Sequence, residues 1–230
     1  MIKSIIKKSI VIIGIFSLSV FASNNNTITL SPSQPTSYFL TPKAKVNDPY
    51  HMVIGLHEFS YALPGSLQLQ LSLIDNIGKT FFGAKYGLNS SMAIGGGIAG
   101  DLISMGHHGP GDPHRLGLYL TYAFVENSST GMAITPHMQI GSRISLGADF
   151  GFMKKPVDVW AFIGEVGVSI DTHDELVYLF GIGGLRITPP AVPFLYIDFG
   201  VKTNEFAARN SPDIYPRVFV DVKVCFITAN

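Results

Sequence analysis

The feature that most constrains this chain is the alternation of apolar residues with small or polar ones along most of its length. The first clear run places leucine at every second position from Leu67 to Leu73, with glutamine or serine between them. Comparable runs occupy residues 82–88, 116–124, 144–152, 160–170, 195–202 and 217–227. Because successive side chains of a β-strand point to opposite faces, each run predicts a strand with one apolar face. The chain is therefore predicted to be all-β.

Short turn sequences separate these runs. Ala62–Gly65 and Asn89–Ser91 carry the Pro, Gly, Asn and Ser residues that tight turns favour. Two connections are longer, Asp101–His114 and Thr203–Pro216. Since no stretch of this part of the chain is patterned as a helix of ordinary length, we expect an antiparallel up-and-down transmembrane β-barrel of about 10–12 strands.

The strand count depends on a few irregular segments. Runs from Tyr50 onward give about eleven strands, and single-chain bacterial barrels have an even number, so a further strand is expected within Asn26–Leu40. Pro32 and Pro35 weaken that strand, which leaves about ten strands as the alternative. Residues 176–187 are apolar on both registers, and Pro136 argues against residues 131–140 as a central strand.

Residues 1–22 have the three parts of a secretory signal peptide. Lys3, Lys7 and Lys8 precede an apolar stretch, which ends in Val20-Phe21-Ala22 with the small residues that a signal peptidase requires. The alternative is a retained membrane anchor, but the apolar stretch is shorter than the roughly 20 residues of a spanning helix. We therefore expect cleavage after Ala22 and a mature chain of residues 23–230.

The low charge content indicates which face of the barrel meets water. Charged residues make up 14% of the chain, against about 25% in an ordinary soluble domain. The non-apolar face is mostly Gly, Ser, Ala, Thr and Gln, which is too weakly polar for a solvated exterior. We expect this face to line a lumen and the apolar face to contact lipid. The alternative is a soluble, exported, lipocalin-like barrel with the opposite arrangement.

The last strand, Arg217–Ile227, has an unbroken apolar face that ends in an aromatic residue. The side chains of this face are those of Val218, Val220, Val222, Val224 and Phe226. The pattern resembles the closing strand of bacterial outer-membrane barrels, from which it departs by a short tail after Phe226. The resemblance implies a location in the bacterial outer membrane, with outer-membrane lipids and the barrel-assembly machinery as partners.

Charged residues on the opposite faces of these strands are expected to project into the lumen. They are Lys85, Arg143, Asp149, Glu165, Asp198, Lys202, Asp221 and Lys223. Both signs occur equally, so the charges can pair across a narrow lumen, or line a weakly selective pore if the lumen is wide. The architecture thus predicts a structural or passive, porin-like role without catalysis or cofactor. Equal totals of 16 basic and 16 acidic residues provide no basic field for nucleic acid.

A barrel hydrolase is the main alternative function. Asp171-Thr172-His173 contains the D-x-H element of omptin proteases, in which the pair orients a water molecule. The second acidic pair of that family has no counterpart here. A lipid hydrolase needs a serine beside a histidine base, but the spacing of His57 and Ser60 places them on opposite faces of a strand.

Two further motifs have simpler explanations. Gly95–Gly100 matches G-x-G-x-x-G, yet Ile94 and Ile98 keep the strand alternation, so a curved strand is expected rather than a dinucleotide site. His107, His108 and His114 could bind zinc, copper or nickel, but their spacing fits no closed set of four ligands. We expect a solvated polar loop there and no metal site. The single cysteine, Cys225, excludes an internal disulfide.

Overall fold

The computed structural model shows one antiparallel sheet that closes into a barrel. It describes residues 35, 37, 42–74, 79–101, 114–141, 143–172, 176–203, 206–207 and 216–227. The predicted signal peptide therefore lies outside the described residues. Among the residues that are described, no helix has the length and hydropathy to cross a membrane.

In the described ranges, the sheet is built from thirteen strand segments. They are β1 (His51–Gly55), β2 (Glu58–Leu63), β3 (Leu67–Ile74), β4 (Lys79–Gly87), β5 (Met92–Asp101), β6 (His114–Glu126), β7 (Thr130–Ile140), β8 (Ile144–Val157), β9 (Trp160–Asp171), β10 (Leu176–Ile187), β11 (Leu195–Thr203), β12 (Phe206–Ala207) and β13 (Pro216–Ile227).

The barrel has twelve strands, because the two-residue β12 continues the line of β11 along β10. Each strand pairs with the next one along the chain, and β13 pairs with both β11 and β1. The contact between β13 and β1 runs from His51 opposite Ile227 to Gly55 opposite Lys223, and it closes the ring. The predicted all-β, up-and-down barrel is confirmed.

The even strand number arises at a different place from the one expected. Residues 50–63 are two strands, because the chain turns at Leu56 and His57 and Val53 pairs with Ser60. The backbone N–H of Leu56 donates to Asp221 Oδ1 at 2.9 Å and fixes this turn against β13. The ring closes without a strand from Asn26–Leu40, a range that lies outside the described residues except for Pro35 and Ser37.

Pro136 lies in β7, a strand that is paired on both sides. Opposite β8 the register is continuous, with Pro136 facing Ala148. Opposite β6 the register has a gap between the Tyr119–His137 and Tyr122–Ile134 pairs. The proline, which has no N–H to donate, lies in that gap. The expectation that Pro136 keeps residues 131–140 from forming a central strand is therefore wrong, and its effect is limited to the side facing β6.

The two ends of the barrel differ in their connections. One end, here called the turn end, has the connections 64–66, 88–91, 127–129, 158–159 and 188–194. In the connection 127–129, Asn127 Oδ1 accepts the N–H groups of Ser129 and Thr130. In the connection 64–66, Gly65 has a positive φ of 82°, which glycine adopts without strain. The opposite end, here called the loop end, has the connections 56–57, 75–78, 102–113, 141–143, 172–175 and 208–215.

The two faces of the wall differ in polarity. The exterior carries exposed apolar side chains from nearly every strand, such as Val218 of β13, which is 81% exposed. The interior holds small, polar and charged side chains, many of them fully buried. A soluble binding barrel would need the opposite distribution, an apolar interior and a charged exterior.

The glycine motif lies entirely within β5 and is paired on both sides. Gly95 faces Lys85 of β4 and Tyr119 of β6. The Tyr119 ring covers Gly95 so closely that a Cβ atom there would overlap the ring carbons. The glycine thus makes room for an aromatic ring inside the barrel, and the strand continues through the whole motif to Asp101.

Candidate functional site in the barrel lumen

The centre of the candidate site is a group of five buried charged side chains, here called the ionic cluster. Its members are Glu58, Arg186, Asp198, Asp221 and Lys223. Arg186 donates from Nε and one terminal nitrogen to the two oxygens of Asp198, at 2.7 and 2.8 Å. Lys223 Nζ lies 3.4 Å from Glu58 Oε2, 3.6 Å from Asp198 Oδ2 and 3.5 Å from Asp221 Oδ2.

Strand register brings these residues together from positions far apart in the sequence. Asp198 is the direct partner of Arg186 on β10 and of Asp221 on β13. Lys223 lies two residues farther along β13, on the same face as Asp221. Glu58 begins β2, which is separated from β13 by β1 alone. Buried charges are costly unless they are paired, and each member of this cluster has a partner of opposite sign.

Part of the N-terminal region lies inside the lumen against this cluster. We call Pro35, Ser37 and residues 42–48 the luminal segment. Ser37 Oγ donates to Glu58 Oε2 at 2.7 Å and accepts from Lys223 Nζ at 3.1 Å. The Ser37 carbonyl accepts from Arg186 Nη1 at 3.3 Å. One serine is thus held by three members of the ionic cluster.

The luminal segment also contacts the opposite wall. Lys85 Nζ on β4 donates to the carbonyls of Lys43 and Lys45, both at 3.1 Å. The Lys45 N–H donates to Glu126 Oε2 on β6 at 3.3 Å. Ala44 is fully buried and belongs to a cluster of buried apolar side chains from the wall of the barrel, among them Ala133 and Phe219. Because the segment is held from both sides, it crosses the lumen.

Lys43 of the luminal segment is buried, with 5% of its surface exposed. Burial, together with the nearby positive charge of Arg186, lowers the pKa of Lys43 to about 8. At a given pH, a larger fraction of this amine is therefore neutral than in a lysine exposed to water. Docking of the segment is consequently coupled to proton release in weakly alkaline solution.

Other polar pairs line the lumen outside the cluster. His137 Nδ1 lies 3.3 Å from Asp149 Oδ2, and both side chains are only partly buried. Tyr119 donates its hydroxyl to Gln70 Oε1 at 2.6 Å. These side chains come from β3, β6, β7 and β8, so the polar lining extends around the interior.

The eight predicted lumen charges have different surroundings in the structure. Asp198, Asp221 and Lys223 meet in the ionic cluster, whereas Lys85 holds the luminal segment. Asp149 and Glu165 also project inward. Lys202 lies near the end of β11, opposite Arg217.

Arg143 is not in a strand but in the bend before β8. It is 42% exposed at the loop end and lies 3.9 Å from Asp171. It belongs to the rim of the barrel rather than to the lumen.

Sequence reasoning missed Glu58, Arg186 and the luminal segment. Arg186 lies in a stretch that is apolar on both registers, where it is the only charged residue in β10. That isolation is a usable signal, because a lone charge in an apolar strand requires a buried partner. Glu58 is missed because residues 56–57 carry no Pro, Gly, Asn or Ser that would indicate the turn before it. The contacts of Ser37 have no sequence signal that we can identify.

The residues considered for catalysis and metal binding do not assemble in the described part of the chain. His57 lies in the turn between β1 and β2 and stacks on Phe219, while Ser60 is buried inside. His107, His108 and His173 lie outside the described residues, and His114 begins β6. Across the described ranges, no group of three or more His, Cys, Asp or Glu side chains could hold a metal ion.

Comparison with solved structures relates the fold of this chain to that of a porin. No family model matches the sequence, and no curated protein matches it. A solved structure of the NanC porin in a rhombohedral crystal form is similar, with a TM-score of 0.50 and 9% sequence identity. The match covers 78% of this chain and 98% of the porin chain. At this identity the likeness concerns the fold alone, that of a closed, antiparallel β-barrel.

Proposed function

We propose that the protein is an outer-membrane barrel that provides a passive route for small polar solutes, narrowed by its own luminal segment. The signal peptide, residues 1–22, directs export and is removed. The observation that carries the proposal is the polar, charged lumen enclosed by a wall whose exterior is apolar. Such a wall is suited to lipid on one side and to water or polar solutes on the other.

The size of the barrel supports a restricted passage rather than a wide pore. Barrels of about 8 strands are filled by their own side chains, whereas those of about 16–18 strands leave an aqueous channel. The twelve strands of this barrel lie between these limits. The luminal segment, tied to both walls through Ser37 and Lys43, occupies part of the remaining space.

Planar-bilayer recording tests the proposal. The mature chain, residues 23–230, is compared with a variant lacking residues 23–47, which removes the luminal segment except Asp48. We expect small conductance steps from the mature chain and clearly larger steps from the variant. A shorter deletion of residues 23–30, which leaves Ser37 and Lys43 in place, serves as the matched control and should conduct like the mature chain. If none of the three proteins produces conductance steps, the proposed channel is wrong and a structural role is favoured.

Location and orientation are tested separately in cells. We expect the protein in the outer-membrane fraction, migrating anomalously on gels unless it is boiled. An epitope tag after Gly109, in the connection 102–113, should be detected on intact cells, and one after Ser90 at the turn end should not. This follows because such barrels leave short turns and the C-terminus in the periplasm. Recovery of the protein in the soluble periplasm would contradict the membrane location.

A further inference from the structure

The exterior of the barrel is not uniform: a groove of about 700 Å³ runs between β8, β9 and β10. Its lining includes Gly164, Gly183, Phe152, Phe162 and Val166. Gly183 faces open space, with no atom within 4 Å of the position that a Cβ would occupy. The absence of a side chain at this position deepens the groove between the larger side chains on either side.

Apolar side chains form the walls of the groove. Phe152 is 41% exposed, Phe162 is 47% exposed and Val166 is 58% exposed, all on the exterior face. An extended hydrocarbon chain that lies in this groove contacts apolar side chains on several of its sides. On the convex surface of the rest of the barrel, the same chain would contact side chains on one side only. Because dispersion attraction grows with the number of close atom pairs, a chain lying in the groove is held more firmly than bulk lipid.

The groove has a positive charge at its turn end. Lys154 lies on β8 beside Phe162 of β9, and its side chain is exposed. Its Nζ donates to Thr130 Oγ1 at 3.1 Å. An ammonium group has three donors, so this contact leaves capacity for an anionic oxygen. Trp160 begins β9 at the same end of the barrel, and the centroids of its ring and that of Phe162 are 4.7 Å apart. An indole at this end is expected for an aromatic residue at a membrane interface.

We propose that this groove binds one anionic phospholipid. The phosphate lies at Lys154, and an acyl chain follows the groove across Gly164 and Gly183 toward the loop end. The groove has a cation and an indole at the membrane interface and apolar side chains beyond them. An anionic phospholipid has the same order, a charged headgroup followed by apolar acyl chains. The inference rests on the proposed membrane location and goes beyond the proposed transport role.

The single tryptophan of the chain, Trp160, provides a built-in probe. The mature protein is reconstituted in vesicles that contain either brominated phosphatidylglycerol or brominated phosphatidylcholine, and quenching of Trp160 fluorescence is measured. We expect phosphatidylglycerol to be preferred by about fivefold in relative association constant, which corresponds to about 1 kcal/mol for one lysine near an anionic group. Lys154→Gln should abolish the preference.

Two further variants separate the groove from general effects. Lys155→Gln removes the neighbouring lysine, which pairs with Asp158, and should keep the preference for phosphatidylglycerol. Gly183→Leu fills the groove and should weaken quenching by both lipids; Gly183→Ala gives a milder version if the leucine variant folds poorly. Equal quenching of the unsubstituted protein by the two lipids would overturn the inference. Failure of the membrane location would look different, because neither lipid would then quench Trp160.

Discussion

Arg186 and Asp198 form a two-point ion pair between adjacent strands, with both carboxylate oxygens accepting from the guanidinium at 2.7 and 2.8 Å. The same guanidinium donates to the Ser37 carbonyl of the luminal segment. The pair therefore joins the wall of the barrel to the chain that crosses its lumen. Such bidentate, charge-assisted contacts are among the stronger polar interactions in proteins.

Arg186→Met should destabilise the barrel by about 3–5 kcal/mol, because it leaves the buried carboxylate of Asp198 without its bidentate partner. The measurement is denaturant-induced unfolding of the refolded protein in detergent. Arg143→Met is the matched control, since Arg143 lies exposed at the rim, 3.9 Å from Asp171, and should cost less than about 1 kcal/mol. Similar losses for the two variants would contradict the special role of the Arg186–Asp198 pair.

Docking of the luminal segment should depend on pH. The pKa of Lys43 is about 8 when buried and 10.5 in its ordinary state, so the charged amine opposes docking. This opposition is complete below pH 8 and is lost as pH rises from about 8 to 10.5. A nitroxide on Lys45→Cys, whose side chain is exposed, should therefore show a larger immobilised fraction at pH 10 than at pH 7.

The control for this pH experiment is the same labelled protein carrying Lys43→Met. Its immobilised fraction should change less between the two pH values, because position 43 no longer titrates. The native Cys225 is buried and should not take up the label. A smaller immobilised fraction at high pH in the parent protein would show that the sign of the coupling is wrong.

Gly95→Ala should destabilise the barrel more than Gly183→Ala. A Cβ at Gly95 would overlap the Tyr119 ring and force it to move, together with its hydrogen bond to Gln70. At Gly183 the same methyl group meets no atom within 4 Å. Overpacking typically costs about 1–3 kcal/mol, whereas the second change should be close to neutral. Unfolding curves of the two variants give the comparison, and equal stability would argue against the packing of Tyr119 on Gly95.

Val166→Arg should impair membrane insertion more than Val157→Arg. Both side chains are exposed on the exterior, but Val166 lies in the middle of β9 and Val157 at the turn end of β8. An arginine on the lipid face costs about 2–4 kcal/mol at the membrane midplane and about 0–1 kcal/mol near the interface. The folded fraction in vesicles of defined thickness measures the difference. If the two arginines are tolerated equally, this exterior face is not in contact with lipid.

The alternation of side chains determined most of the fold. From Leu67 to Leu73, and again in the closing strand, every second side chain is apolar, and the structure has a strand at each place. This signal is local, since the direction of each side chain follows from its position along a strand. The same signal identified Asp198, Asp221 and Lys223 as inward-pointing, although it could not identify their partners.

Only the tertiary structure decided which charges meet. Arg186 and Asp198 pair because β10 and β11 align at that register, and Lys223 joins them because the ring closes between β13 and β1. Ser37 reaches the cluster because the luminal segment folds back into the barrel. Each of these contacts spans residues far apart in sequence. Its geometry depends on strand register and barrel closure, which alternation within one strand does not specify.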